Sequence, residues 1–110
     1  INPDDVQSLN NLAWILATWP DALVRDGAKA LALAERAVSL TNHREARTMA
    51  TFAAAFAEVD RFPDAVATAE RAAELAQAEG NSGFADFIRG QADLYRSHVP
   101  FRDHRYSAGR

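Results

Sequence analysis

The chain has no cysteine, which removes any disulfide framework and any thiolate chemistry and leaves the redox compartment open. Glycine and proline are scarce, at five and four residues, and they stand at candidate boundaries rather than inside periodic runs. No apolar run approaches the ~18 residues that a membrane-spanning helix needs. Basic charge is also short: 12 Lys and Arg face 15 Asp and Glu, a formal charge of −3, which argues against the basic face of a nucleic-acid module. Val, Ile and Thr are sparse beside abundant alanine, which favours helix over strand. What remains is 110 residues, 48% hydrophobic and 25% charged, an ordinary globular composition long enough to bury roughly two thirds of its unfolded surface. The expected class is all-α. The first residue is Ile1 rather than Met, so the chain is expected to be an excised fragment or processed product, and the lack of a leader says nothing about location.

Periodicity divides the chain into five helices. Asp4, with Gln7 three residues on, has capping-box spacing, and Val6, Leu9, Leu12, Ala13 and Leu16 recur at helical intervals to about Thr18. Trp19-Pro20-Asp21 ends that helix, and Asp26 caps the next, whose apolar face is Ala30, Leu31, Ala34, Ala37, Val38 and Leu40. Asn42 with Glu45 repeats the capping-box spacing, so a third helix is expected from about His43 to Val59, facing inward with Ala46, Met49, Phe52, Ala53 and Phe56. A tight turn at 58–61 and Pro63 in a first turn introduce a fourth helix, with Ala65, Val66, Ala69, Ala72, Ala73 and Leu75 inward. Gly80-Asn81-Ser82-Gly83 is the clearest punctuation. A fifth helix follows, with Phe84, Phe87, Ile88, Ala92, Leu94 and Tyr95 on its apolar side, stopped by Val99-Pro100. The aperiodic tail FRDHRYSAGR is expected to be extended or disordered, with Phe101 tucked against the last helix.

The first two helix pairs superpose as an internal repeat. Leu9, Leu12, Ala13 and Leu16 match Met49, Phe52, Ala53 and Phe56 at an offset of 40 residues, while Ala30, Ala34, Ala37 and Leu40 match Ala65, Ala69, Ala72 and Leu75 at an offset of 35. Five residues are thus inserted in the first pair, between Trp19 and Asp26. Helices that cross closely need small residues at the crossing and bulky ones on either side. Ala13 and Ala53 in the first helices, with Ala30, Ala37, Ala65 and Ala72 in the second, satisfy that demand. On these residues the chain resembles the tetratricopeptide repeat, a helix–turn–helix unit of ~34 residues. Ile1-Asn2-Pro3 fits the close of a preceding repeat; the family's usual Trp and Tyr in the first helix are replaced by other apolar residues.

The resemblance implies antiparallel helix pairs stacked as a right-handed superhelix, two pairs plus a C-terminal capping helix. The expected divisions are 1–3, the end of a preceding repeat; 4–40, the first pair with its lengthened turn; 41–80, the second pair; 81–98, the capping helix; and 99–110, the tail. It also implies a concave groove lined by the first helix of each pair. There the candidates for binding a partner segment are Gln7, Asn10, Asn11, Trp14, Arg47, Thr51 and Glu58, with the Trp14 ring and the amides suited to an extended peptide backbone. The family's carboxylate clamp is not expected, because Asn10, Trp14, Ala50 and Ala54 stand where its other residues would be.

The implied partner is a protein or peptide, with neither nucleic acid nor membrane. Self-association through the uncapped N-terminal end is a further expectation, and a structural cap or oligomerisation unit with no ligand is the competing one. No cofactor or metal is expected, since His43, His98 and His104 match no metal-ligand spacing. No catalysis is expected either: Asp60, Asp64, Glu70 and Glu74, interleaved with Arg61 and Arg71, read as a solvated salt-bridged face.

Overall fold

A computed structural model describes residues 5–106. The expected repeat ending at residues 1–3 and the expected cap Asp4 lie outside the described residues. Five α-helices follow in order: α1 (Val6–Thr18), α2 (Gly27–Leu40), α3 (Ala46–Glu58), α4 (Phe62–Ala78) and α5 (Ser82–Arg96), then a 3₁₀ turn, His104–Tyr106. No strand occurs among the described residues, and no helix there is long and apolar enough to cross a membrane. The protein is all-helical.

Side chains set the helix starts at three places. The α1 cap is Asp5, which accepts from the Gln7 N–H at 3.1 Å. Asp26 caps α2 by accepting from Lys29 N–H, and Asn81 caps α5 by accepting from Phe84 N–H. Each satisfies an amide that the first turn leaves without an intrahelical acceptor.

The expected third helix started too early. Asn42 and His43 hold left-handed backbone, φ 57° and 60°, and α3 begins at Ala46, with Glu45 making no side-chain cap. The reason is a Schellman termination of α2: His43 N–H reaches back to Val38 O, and Asn42 N–H to Ser39 O. The same pair of bonds closes α3 around Asp60, α4 around Gly80 and α5 around His98, each at positive φ. Only Gly80 takes that conformation without a Cβ penalty. His98 gains a ring stack on Phe62, centroids 5.1 Å apart.

Helix α3 is central. Ten of its 13 residues are buried, because it packs on α1, α2 and α4 at once; α5 packs on α4. The six alanines at the expected crossings, Ala13, Ala30, Ala37, Ala53, Ala65 and Ala72, are all buried. Three apolar faces differ from expectation: in α2, Leu40 at the end of the expected stripe is exposed. In α1 the buried stripe is Asn10, Ala13 and Ala17, with Leu12 exposed. In α5 it is Ala85, Ile88, Gln91, Ala92 and Tyr95, with Phe87 and Leu94 exposed. Burial pushes the Tyr95 hydroxyl above its ordinary range.

The five inserted residues form a turn in which Leu23 and Val24 N–H bond to Asp21. Arg25 staples it: Nη1 donates to Trp19 O and Pro20 O, and Nε to Glu58 Oε2 at 3.0 Å. Beyond it Gly27 lies so close to α3 that an added Cβ would stand 2.9 Å from side-chain carbons of both Glu58 and Val59.

Candidate functional site

A groove of about 600 Å³ opens between α1, α3 and α5. Helix α1 contributes Asn10, Asn11, Trp14 and Ile15; α3 contributes Arg47, Ala50 and Thr51; α5 contributes Phe84, Phe87 and Gln91. Residues 7, 10/11 and 14 lie one helical turn apart and so share a face of α1. A shallower depression of about 540 Å³, which shares Arg47 and Phe84, adds Gln7, Glu45, Glu79 and Asn81. Five of the seven expected groove residues, Asn10, Asn11, Trp14, Arg47 and Thr51, therefore meet in one concavity, with Gln7 at its mouth.

Glu58 does not line it. Its side chain, mostly buried, bonds Arg25, and Arg102 Nη1 lies 2.8 Å from its other oxygen as an ion pair. Its role in this structure is to hold the inserted turn and the C-terminal segment to the end of α3. The carboxylate face on α4 carries surface ion pairs, Arg61–Asp64 and Arg71–Glu74.

Of the two expectations for the tail, extended or disordered, residues 101–103 take the extended one, with Phe101 against α5, before the 3₁₀ turn. The segment runs back across the Trp14 end of the groove. Phe101 packs its ring against both Trp14 and Phe87, each with centroids 5.7 Å away, the second edge-on. Asp103 N–H donates to Thr18 O at 2.9 Å, and Trp14 Nε1–H donates to Asp103 Oδ2 at 2.7 Å. Arg105 bonds both oxygens of the same carboxylate. Asp103 is 3% exposed. Hydrogen bonds from Arg105 above all, with Trp14 adding to them against the cost of burial, lower its pKa to about 2. One end of the groove is thus closed by the chain itself, and the Arg47 end is open.

Two polar atoms inside are unusual. Asn10 is 4% exposed and Gln91 2%, yet neither Asn10 Oδ1 nor Gln91 Nε2 has a hydrogen-bond partner among the described residues. Buried polar groups are normally paired, at a cost of about 1–3 kcal/mol when they are not. Gln91 was overlooked in the sequence because a polar residue on α5 reads as outward. Its spacing from Ile88 and Tyr95, three and four residues, was the available signal.

No group of three or more potential metal ligands occurs among the described residues. The Asp103 carboxylate, held well below its ordinary range, is engaged by Trp14 and Arg105 in holding the segment down. No family model, curated protein or solved structure matches the chain.

Proposed function

We propose that the protein is a non-catalytic interaction scaffold of tetratricopeptide-like architecture, which holds a segment of a protein partner in the groove between α1, α3 and α5. The observation that carries this reading is the groove itself. Its volume falls in the range of binding pockets, and its walls combine apolar rings (Trp14, Phe84, Phe87) with amides and two cations, Arg47 and the Asp103-paired Arg105. Buried alanines at all six repeat positions support stacked antiparallel pairs in a right-handed superhelix, with α5 as the cap.

The test is a random-octapeptide display selection on the whole chain, repeated on Asn11→Arg. Asn11 is exposed and lines the groove, so arginine there obstructs the concavity without disturbing the core. Peptides should be enriched by the parent chain and lost with Asn11→Arg at unchanged helicity. Equal enrichment by both proteins, or none by either, would refute the reading.

A second reading is favoured by the segment that closes the Trp14 end: a structural terminal cap with no ligand of its own. Exposed Leu12, Leu23, Val24 and Leu40 on the α1–α2 side would then serve in assembly or self-association, which sedimentation over a range of concentrations would reveal.

A further inference from the structure

Resting on the self-association of the second reading, we infer that the partner is a second copy of this chain, docked about a two-fold axis with α1 against α1 and Leu12 nearest the axis. The contact is the apolar outer face of the first helix pair. Leu9, Leu12 and Leu16 recur three and four residues apart and so share one stripe of α1. Leu12 is 42% exposed and the other two are half-buried. On α2, Leu31 packs against both core clusters and Leu33 only against the one that α1 shares. Leu33 and Leu40, two turns apart, therefore lie on the α1 flank of α2.

The second helix pair carries the matched residues, and there they are covered. Met49 and Phe56 are buried, and Phe52, the match of Leu12, packs against both clusters. What covers it is the alanine face of the first pair, where Ala13, Ala17, Ala30 and Ala34 cluster with Ala54 and Ala55 of α3. The matching alanines of the second pair, Ala53, Ala57, Ala65 and Ala69, are themselves buried in one cluster with Ala85, Ile88 and Ala92 of α5. Both alanine faces are thus filled within the chain, and the leucine face of α1 is left without one.

Charge selects the occupant. None of the 13 residues of α1 is charged, whereas each of the other four helices carries acids and bases. At the far end of the stack, α5 sets exposed Phe87 and Leu94 among exposed Asp86, Arg89, Asp93 and Arg96. A head-to-tail contact would desolvate those charges against a helix with nothing to pair them. A neutral face meets no such cost on its own twin. Lys29 and Arg36, exposed on α2 and each one turn from Leu33, border it as the polar rim usual around an apolar centre. A self-complementary patch is what a two-fold contact requires. A 13-residue helix is about 20 Å long and a helix pair about 20 Å wide. That is the lower end of specific interfaces, so the dimer should be weak, with Kd on the order of 10 μM.

The test is sedimentation equilibrium of the whole chain across about 1–300 μM. A single monomer–dimer equilibrium is expected with no larger species, because a two-fold contact closes on itself. Leu12→Lys and Leu12→Glu should each weaken dimerisation about tenfold or more. Their equimolar mixture should dimerise again, since the introduced charges then face each other with opposite sign across the axis. Leu94→Lys should change nothing. Circular dichroism at high dilution should show every variant folded, and Leu40→Lys repeats the loss from α2 should a Leu12 variant fail to fold.

Association weakened by Leu94→Lys and untouched at Leu12, or species that keep growing beyond the dimer, would overturn the two-fold face and leave self-association to another surface. A mixture no tighter than either variant alone would remove Leu12 from the axis and with it the inference. A monomer at every concentration would sink the inference and the self-association reading together, leaving the leucine face to a different helical partner.

Discussion

Protonating or replacing Asp103 should loosen the whole C-terminal segment, because four protein groups converge on that residue: the Trp14 indole, Arg105, the Arg105 amide and, through its own N–H, the Thr18 carbonyl. Its pKa falls from an ordinary 3.8 to about 2, a difference corresponding to about 2 kcal/mol. The carboxyl is depressed on folding, so this contribution is present in full above pH ~4, where the unfolded chain is also ionised. It is lost as pH falls through the folded value near 2.

Asp103→Asn keeps the shape and an acceptor for Trp14 Nε1 but removes the charge that Arg105 binds. At pH 7 the variant should be less stable by about 1–2 kcal/mol, several degrees in Tm for a domain of this size. The gap should narrow steadily below pH 4 and nearly vanish at pH 2. Thermal melts followed at pH 7, 4, 3 and 2, with near-ultraviolet dichroism reporting the Trp14 environment, make the comparison. A gap that stays constant from pH 7 to pH 2 would show that the anionic form of Asp103 is not what holds the segment, and the reasoning would fail.

Two further predictions concern backbone and packing. Asp60→Gly should stabilise by about 0.5–1 kcal/mol in urea unfolding, since Asp60 caps α3 at φ 63°, where glycine avoids the left-handed penalty; no gain would mean that its side chain compensates locally. Gly27→Ala should destabilise by about 1–3 kcal/mol despite alanine's better helix propensity, because its Cβ would meet Glu58 and Val59 at 2.9 Å; a stabilised variant would show that this contact yields freely.

Local pattern revealed most of the helices, and the reasons it stopped are specific. Asp26 and the Gly80 turn carry their own chemistry within three residues, and they stand where the sequence places them, while Asn81, read only as punctuation, also caps α5. Asn42 misleads because asparagine serves equally as an N-cap and as a left-handed helix terminator; the bonds to Val38 and Ser39 decide for the second. On α5, reading burial from hydrophobicity put Phe87 and Leu94 inward. The register that packs on α4 instead buries Ala85, Ile88 and Gln91 and turns Phe87 to the groove. The α1 face from Gln7 to Trp14 was legible because one helix supplies it. Glu58 was misassigned because its partners, Arg25 and Arg102, lie 33 and 44 positions away, beyond any periodicity. The same holds for Asp103 and Trp14, 89 positions apart.

That last separation bears on how the protein unfolds. Stacked helices whose contacts run mainly between neighbours in sequence tend to fray from either end, with each unit opening nearly independently. Here the bonds from 101–105 to α1 tie the last helix to the first. Fraying either end breaks the Trp14–Asp103 contact and so exposes the other. Closing a loop of this length carries only a slowly growing entropic cost, and in return it converts a row of separable hairpins into a ring. Hydrogen exchange should accordingly find α1 and α5 opening together, with protection factors that fall in step when Asp103 is replaced.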